Sequence, residues 1–192
     1  NIPMPNLKQQ DGTMESLSRC DFLIATTKQK YGDNGVVNFN TDSTSFKHVS
    51  SLVQLKFMAI EDLANATLNK ITIVGNNITT PTTYSFTDKV KPSTNHSDTL
   101  TISPNKSMTQ GNATFYLIVN EKKDTSAVTL SIEYSIDNQT YLAETTDFPY
   151  KTFTGGMQQN VQITIRNKTL SITGAGIIPW EGNEKFEDII ID

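Results

Sequence analysis

The chain has 192 residues, a formal net charge of −4 and a single cysteine, Cys20. A chain of this length can bury a large core unaided, and one cysteine can form neither an intrachain disulfide nor a cysteine-based zinc cluster. The 16 Lys and Arg residues are scattered, with Lys122-Lys123 as the densest pair, which argues against nucleic acid as a partner. No apolar run approaches the roughly 20 residues that span a bilayer.

Strand signals begin in "FKHVSSLVQLKFMAI", which runs from Phe46. Val53, Leu55 and Phe57 alternate with polar residues, which predicts a strand, and a helical turn at its start is the alternative. "KITIV", from Lys70, is apolar on both faces and predicts a strand that is covered on both sides or lies at the centre of a sheet. Residues 87–99, "TDKVKPSTNHSDT", are polar and weakly patterned, which indicates an exposed loop or a boundary between subdomains.

The second half of the chain has the clearest periodicity. "FYLIV", from Phe115, predicts another strand covered on both faces. "AVTLSIEYSI", from Ala127, alternates apolar and polar residues, which predicts a strand with one buried and one solvated face. "NVQITIRN" and "TLSITG" repeat this alternation on either side of Asn167-Lys168, which predicts a hairpin.

The only tryptophan, Trp180, follows that hairpin and Pro179. We expect Trp180 to close the end of a hydrophobic core, and Pro179 to release the chain from the sheet because proline cannot donate to the ladder. Phe46 and His48 are predicted as further core positions. Short strands, regularly spaced turn residues and no convincing amphipathic helix together predict an all-β sandwich or barrel.

Residues suited to catalysis or to metal binding are sparse. The two histidines, His48 and His96, lie far apart in the sequence, and no paired metal-ligand motif or nucleophile elbow is present. Cys20 has no neighbouring histidine, so we expect a buried, unreactive thiol. The sequence therefore predicts no enzyme, no catalytic residue and no cofactor. "GDNGVVNFNTD", from Gly32, leaves calcium binding open, although it lacks the order of an EF-hand and a turn is favoured.

Several segments, in order, resemble the fimbrillin family of Bacteroidetes surface proteins. They are "NIPMPNLKQQDGTMESLSRCDFLIATT" at the start, then "SFKHVSSLVQLKF", and the ending "NVQITIRNKTLSITGAGIIPW". The most specific parts are Asp21-Phe22-Leu23, Phe46-Lys47-His48 and Pro179-Trp180. The resemblance implies transthyretin-like antiparallel β-sandwiches in a pilin that is exported as a lipoprotein to the outer membrane and polymerises with other fimbrial subunits by strand exchange. Shaft, anchor and tip subunits all occur in such a family.

The resemblance also implies a domain division. Residues 1–35 are assigned to the end of an N-terminal domain and its linker, residues 36–180 to a C-terminal sandwich, and residues 181–192 to a tail. Because the chain begins at Asn1 rather than Met, we expect an export signal and a lipid anchor to lie upstream. Membrane attachment would then come only from that anchor.

In the tail "EGNEKFEDIIID", Phe186, Ile189 and Ile190 are apolar residues among mainly acidic ones. An extended apolar segment can complete the exposed ladder of a neighbouring sandwich, which makes the tail a candidate donor strand. The alternative is that these residues form the last strand of the chain's own sheet.

A second function from a different class is a monomeric surface lipoprotein that binds glycan, and contact with a host surface is a related expectation. Tyr141, Phe148, Tyr150 and Phe153 lie close enough in sequence to form an aromatic ligand platform. Ordinary packing around a turn is the alternative for all four.

Overall fold

Strands make up most of the computed structural model, which describes residues 2–25, 46–58, 65–80, 82–86, 96–108, 112–166 and 169–180. In chain order, the elements are β1 (Ile2–Pro3), a 3₁₀ helix (Leu7–Gln9), α1 (Met14–Leu17), β2 (Leu23–Ile24), β3 (Lys47–His48), β4 (Ser51–Phe57), β5 (Thr67–Asn76), β6 (Thr83–Tyr84), β7 (Ser97–Ile102), β8 (Lys106–Ser107), β9 (Ala113–Val119), β10 (Thr129–Ile136), β11 (Gln139–Thr145), β12 (Met157–Arg166) and β13 (Thr169–Pro179).

Two larger sheets form the body of the fold. The front sheet has the order β11-β10-β5-β7, and β8 also pairs with β5. The back sheet has the order β13-β12-β4-β9. Two short ribbons, β1 with β6 and β2 with β3, lie outside these sheets. The prediction of an all-β sandwich is thus confirmed.

The main core lies between the two sheets and follows from the alternation in their strands. In residues 129–134 of β10 and 160–165 of β12, the inward-facing residues are fully buried, while the residues between them are only partly covered. Burial of this kind supplies most of the free energy that offsets chain entropy, at about 25 cal/mol per Å² of apolar surface. The core includes Val53, Leu55, Phe57, Leu68, Ile71, Ile73, Leu100, Phe115, Leu117, Leu130, Ile132, Tyr134, Val161, Ile163 and Ile165.

Several sequence predictions can be checked against these strands. The strands in "LVQLKF", "FYLIV" and "AVTLSIEYSI" and the pairing across residues 167–168 are confirmed. The "KITIV" strand exists, but its burial alternates, with Ile71 and Ile73 inside and Thr72 and Val74 partly exposed. β5 lies at the centre of the front sheet, which confirms one of the two predicted placements, whereas its outer face is only partly covered.

The back sheet is not purely antiparallel, which corrects the expected sandwich. β12 pairs with β4 in parallel, from Gln158 opposite Leu52 to Ile163 opposite Phe57. β13 then returns antiparallel to β12. The end of β13 therefore lies at the same end of the sheet as the start of β4.

A second layer, formed by the N-terminal segment, covers the outer face of the back sheet. Leu7, Leu17 and Cys20 pack with Leu52 and Ile118, which point away from the main core. This layer explains why β4 and the end of β9 are buried on both faces. The described part of the segment assigned to residues 1–35 is therefore packed against the sandwich.

The N-terminal segment also covers the edge of β9. The Gln10 side-chain amide donates to the carbonyl of Ile118 at 2.8 Å, and its oxygen accepts from the Ile118 N–H. The carbonyl of Gly12 accepts from the Tyr116 N–H at 2.9 Å. The Gln10 side chain and the Gly12 carbonyl thus form hydrogen bonds with backbone groups of β9 that would otherwise be open to another strand.

We predict that Gln10→Ala lowers the free energy of unfolding by about 2 kcal/mol, because it leaves the buried N–H and carbonyl of Ile118 without these partners. Gln9, the exposed neighbour in sequence, provides the matched control Gln9→Ala, which should change stability by less than about 0.5 kcal/mol. Urea denaturation of both variants measures the difference. Equal stabilities would show that the amide does not contribute.

The opposite edge of the back sheet, β13, carries no charged side chain along its 11 residues. Its ladder with β12 shifts register between Gln162 and Ile163, which makes Thr173 the extra residue of a bulge. Pro179, at its end, has no N–H to offer a neighbour. A bulge and a proline are two common ways in which an edge strand avoids unwanted pairing.

Candidate functional site

The end of β13 lies at a corner where three separate parts of the chain meet. The parallel β4-β12 ladder and the β12-β13 hairpin bring Trp180 to the start of β4. Asp21 comes from the segment after α1, and His48 ends β3. We call Asp21, His48, Gly156 and Trp180 the Trp180 corner.

The geometry of the Trp180 corner is specific. The rings of His48 and Trp180 are stacked, with centroids 3.8 Å apart and planes at 14°. The Nδ1 atom of His48 lies 2.9 Å from Oδ1 of Asp21, and both side chains are about one-fifth exposed. The Trp180 N–H donates to the carbonyl of Gly156 at 2.7 Å. The residue that precedes the tail is therefore held through both its ring and its backbone.

The three predicted core positions, Phe46, His48 and Trp180, differ in their burial. Phe46 is 63% exposed, so its prediction as a core residue was wrong. His48 and Trp180 are half-buried, and Trp180 packs against the cluster of Leu7, Leu17 and Cys20 rather than the main core. Pro179 still belongs to β13, opposite Met157, and the chain stays paired to Trp180. The sheet thus ends one residue later than the sequence suggested.

The predicted aromatic platform is not a surface. Three of the four residues are buried: the exposed fraction is 3% for Phe148, 9% for Tyr150 and 1% for Phe153. Tyr141 is partly buried, and its ring stacks on that of Tyr134 with centroids 5.5 Å apart. The Tyr150 hydroxyl lies 2.6 Å from the carbonyl of Gly176, and burial raises the pKa of Tyr150 to about 12. The expectation of a ligand platform was therefore wrong, and packing around a turn is what these residues do.

Sequence reasoning missed a buried lysine at the end of the sandwich. The Lys122 ammonium donates to the carbonyls of Asp124, Ser126 and Lys151 at 2.6, 3.1 and 2.7 Å, and to Oδ1 of Asp124 at 2.9 Å. Its side chain is fully buried, and its backbone pairs with Phe153. We call this arrangement the Lys122 cage. The local signal was an Asp and a Ser two and four residues after the lysine.

The cage also affects its acidic member. Burial alone would raise the pKa of Asp124, but hydrogen bonds from Ser126 and Lys122 outweigh it and lower that pKa. The ammonium is thus matched by a carboxylate and by carbonyl dipoles, as a buried charge requires.

Chemistry at other predicted positions is limited. Cys20 is 2% exposed and burial raises the pKa of its thiol, which confirms the expected buried thiol. Within the part of the chain that the structure describes, no three His, Cys, Asp or Glu residues are grouped to hold a metal. The calcium candidate at residues 32–42 and the tail residues Phe186, Ile189 and Ile190 lie outside the described residues. Among the helices described, none has the length and apolar character needed to cross a membrane.

Comparisons with known proteins define the class of the chain. A family model described as fimbrillin-like matches residues 2–180, and the chain belongs to this family. Membership indicates a structural or adhesive protein of the cell surface rather than an enzyme. No curated protein matches the chain.

Solved structures of low sequence identity are similar to the chain. A Bacteroides ovatus protein with a proposed role in cell adhesion is 21% identical, with a TM-score of 0.55, over 95% of this chain and 60% of that protein. A Bacteroides uniformis protein with the same proposed role is 15% identical, with a TM-score of 0.48, over 72% of this chain and 53% of that protein. The chain therefore spans about half to three-fifths of these relatives.

Proposed function

We propose that the protein is a structural or adhesive subunit of a bacterial cell-surface fimbria. The observation that carries this proposal is the match of the fimbrillin-like family model to residues 2–180. The sandwich fold shared with the Bacteroides ovatus protein is consistent with it. An upstream lipid anchor in the outer membrane is part of the same proposal.

The proposed mode of assembly is strand exchange through residues 181–192. This tail follows Trp180, which is fixed at the end of the last strand of the back sheet. In an extended segment, Phe186 and Ile190 project to one face and Ile189 to the other. The tail can therefore place apolar side chains against a neighbouring subunit while its backbone pairs with a strand of that subunit. Other fimbrial subunits are the proposed partners.

Glycan binding by a monomer receives less support. The four aromatic residues that suggested it are buried or partly buried in the sandwich. Contact with a host surface or a glycan would have to use another part of the subunit.

Deletion of residues 181–192 from the full-length protein tests the assembly proposal. The intact protein is treated with an Arg/Lys-specific protease, and light scattering after size exclusion, together with SDS gels, detects polymers. We expect SDS-resistant ladders that the deletion abolishes. A triple substitution of Phe186, Ile189 and Ile190 by Asp should have the same effect, because it places charges on both faces of the tail where it now offers apolar side chains.

The matched control replaces Glu184 and Glu187 by Gln, which keeps the apolar residues of the tail. This variant should polymerise like the intact protein. Ladders that persist without residues 181–192 would overturn strand exchange through the tail. A protein that stays monomeric under all these conditions would overturn the role of a polymerising subunit.

A further inference from the structure

The Trp180 corner connects the two ends of the described chain. Asp21 belongs to the N-terminal segment, which packs on the outer face of the back sheet, and Trp180 is the last residue before the tail. His48 lies between them, bonded to Asp21 on one side and stacked on Trp180 on the other. These three residues come from the same motifs that carried the family resemblance.

His48 is held in a fixed position by its own ribbon. β2 and β3 pair with Leu23 opposite His48, and the Val49 N–H donates to the carbonyl of Phe22 at 3.0 Å. The Asp21 carboxylate then fixes the orientation of the imidazole ring, because its oxygen lies 2.9 Å from Nδ1. Among the described residues, Asp21 is the charged group recorded in contact with this ring.

Trp180 depends on that ring for part of its attachment. Its backbone bond to Gly156 lies at the end of the hairpin, where strands fray most easily. The parallel stack with His48 is the ring contact recorded for the indole, and it is close enough to exclude water between the planes. Loosening His48 therefore weakens the hold on the residue from which the tail starts, and leaves its backbone bond to Gly156 and its packing against the cluster of Leu7, Leu17 and Cys20.

We infer that the N-terminal segment controls how tightly the start of the C-terminal tail is held, through Asp21 and His48. Displacing the segment, or removing the Asp21 carboxylate, releases the His48 ring and with it Trp180. The coupling is reciprocal, since two sites that share one energetic link affect each other equally. Its consequence for assembly rests on the proposed function of the tail, but the coupling itself concerns the monomer alone.

The single tryptophan makes the inference measurable. All indole fluorescence comes from Trp180, so acrylamide quenching reports the exposure of this ring and nothing else. Asp21→Ala should raise the quenching constant about twofold, as for a half-buried ring that becomes mobile. Asp21→Asn keeps an oxygen that can accept from the imidazole and should restore most of the protection. Glu15→Ala, on the exposed side of α1, is the matched control and should leave quenching unchanged.

A second variant separates the stack from the hydrogen bond. His48→Phe keeps an aromatic ring over Trp180 but cannot bond Asp21, so it should uncouple the two ends, and adding Asp21→Ala to it should then change quenching no further. In the reverse direction, Trp180→Ala should speed hydrogen exchange at the Val49 amide, which pairs with Phe22. Circular dichroism of each variant confirms that the sandwich is intact.

Equal quenching in Asp21→Ala and the intact protein would overturn the inference. So would unchanged exchange at Val49 in Trp180→Ala, because the coupling would then run in one direction only. Neither result depends on polymerisation. If the tail deletion leaves assembly intact, the proposed function fails and the coupling still stands or falls on these monomer measurements.

Discussion

Replacing Lys122 by Met should lower the free energy of unfolding by about 3 to 5 kcal/mol, because several buried carbonyls lose their donor at about 1 to 3 kcal/mol each. Methionine keeps most of the packed stem but leaves the carbonyls of Ser126 and Lys151 without the ammonium, whereas the partly exposed Asp124 carboxylate keeps its hydrogen bonds from Ser126. Guanidinium denaturation with a tryptophan signal measures the loss. We expect local loosening around Phe153 as well, because its backbone pairs with Lys122.

Lys123 provides the control for that experiment. It is adjacent in sequence and has the same charge, but its side chain is 75% exposed and forms an ion pair with Glu121. Lys123→Met should therefore change stability by less than about 0.5 kcal/mol, as for most exposed ion pairs. If Lys122→Met were as stable as Lys123→Met, the Lys122 cage would not stabilise the contact of residues 122–126 with Lys151.

Gly155→Ala should lower the free energy of unfolding by about 3 kcal/mol. An added Cβ would lie 2.4 Å from the carbonyl oxygen of Val49 and 3.3 Å from that of His48. Both are backbone atoms on the segment that leads into β4, so they cannot move aside as a flexible side chain would. Denaturation of the variant measures the loss, and the neighbouring Trp180 stack should report the distortion.

Gly75 offers a graded control for the clash at Gly155. A Cβ there would meet only side-chain atoms, of Ile78 and Val128, at 3.2 and 3.3 Å. Because these side chains can shift by a few tenths of an ångström, Gly75→Ala should cost about 1 kcal/mol. A Gly155→Ala variant no less stable than Gly75→Ala would show that the backbone of His48 and Val49, before β4, can adapt.

Local periodicity was sufficient to predict the strands that have one face toward the core and the other toward water. The alternation from Leu130 to Tyr134 and from Val161 to Ile165 corresponds directly to inward and outward faces. The parallel pairing of β4 with β12 was not accessible in this way, because it joins residues more than a hundred positions apart. Pairing partners are set by the packing of whole sheets, which a single sequence does not display.

The contacts within the candidate site could not be predicted from the sequence either. The motifs around Asp21, His48 and Trp180 could be singled out, but not their contact, which depends on that parallel ladder. Lys122 and Lys123 stood out only as the densest pair of positive charges, and the Asp and Ser that follow Lys122 do not by themselves indicate which of the two side chains is buried. Phe148 and Phe153 had the spacing of an exposed platform, yet the loop folds inward because their rings fill the end of the core.

The hairpin that ends at Trp180 also determines how the subunit would respond to tension. β13 returns along β12, so a pull on the tail away from the sheet would load the bonds between these strands one at a time, beginning with the Trp180 N–H and the Gly156 carbonyl. The same pull along the strand axis would load many of these bonds together. The mechanical strength of the subunit would thus depend on the direction of the force, with the His48 stack as the first contact to resist it.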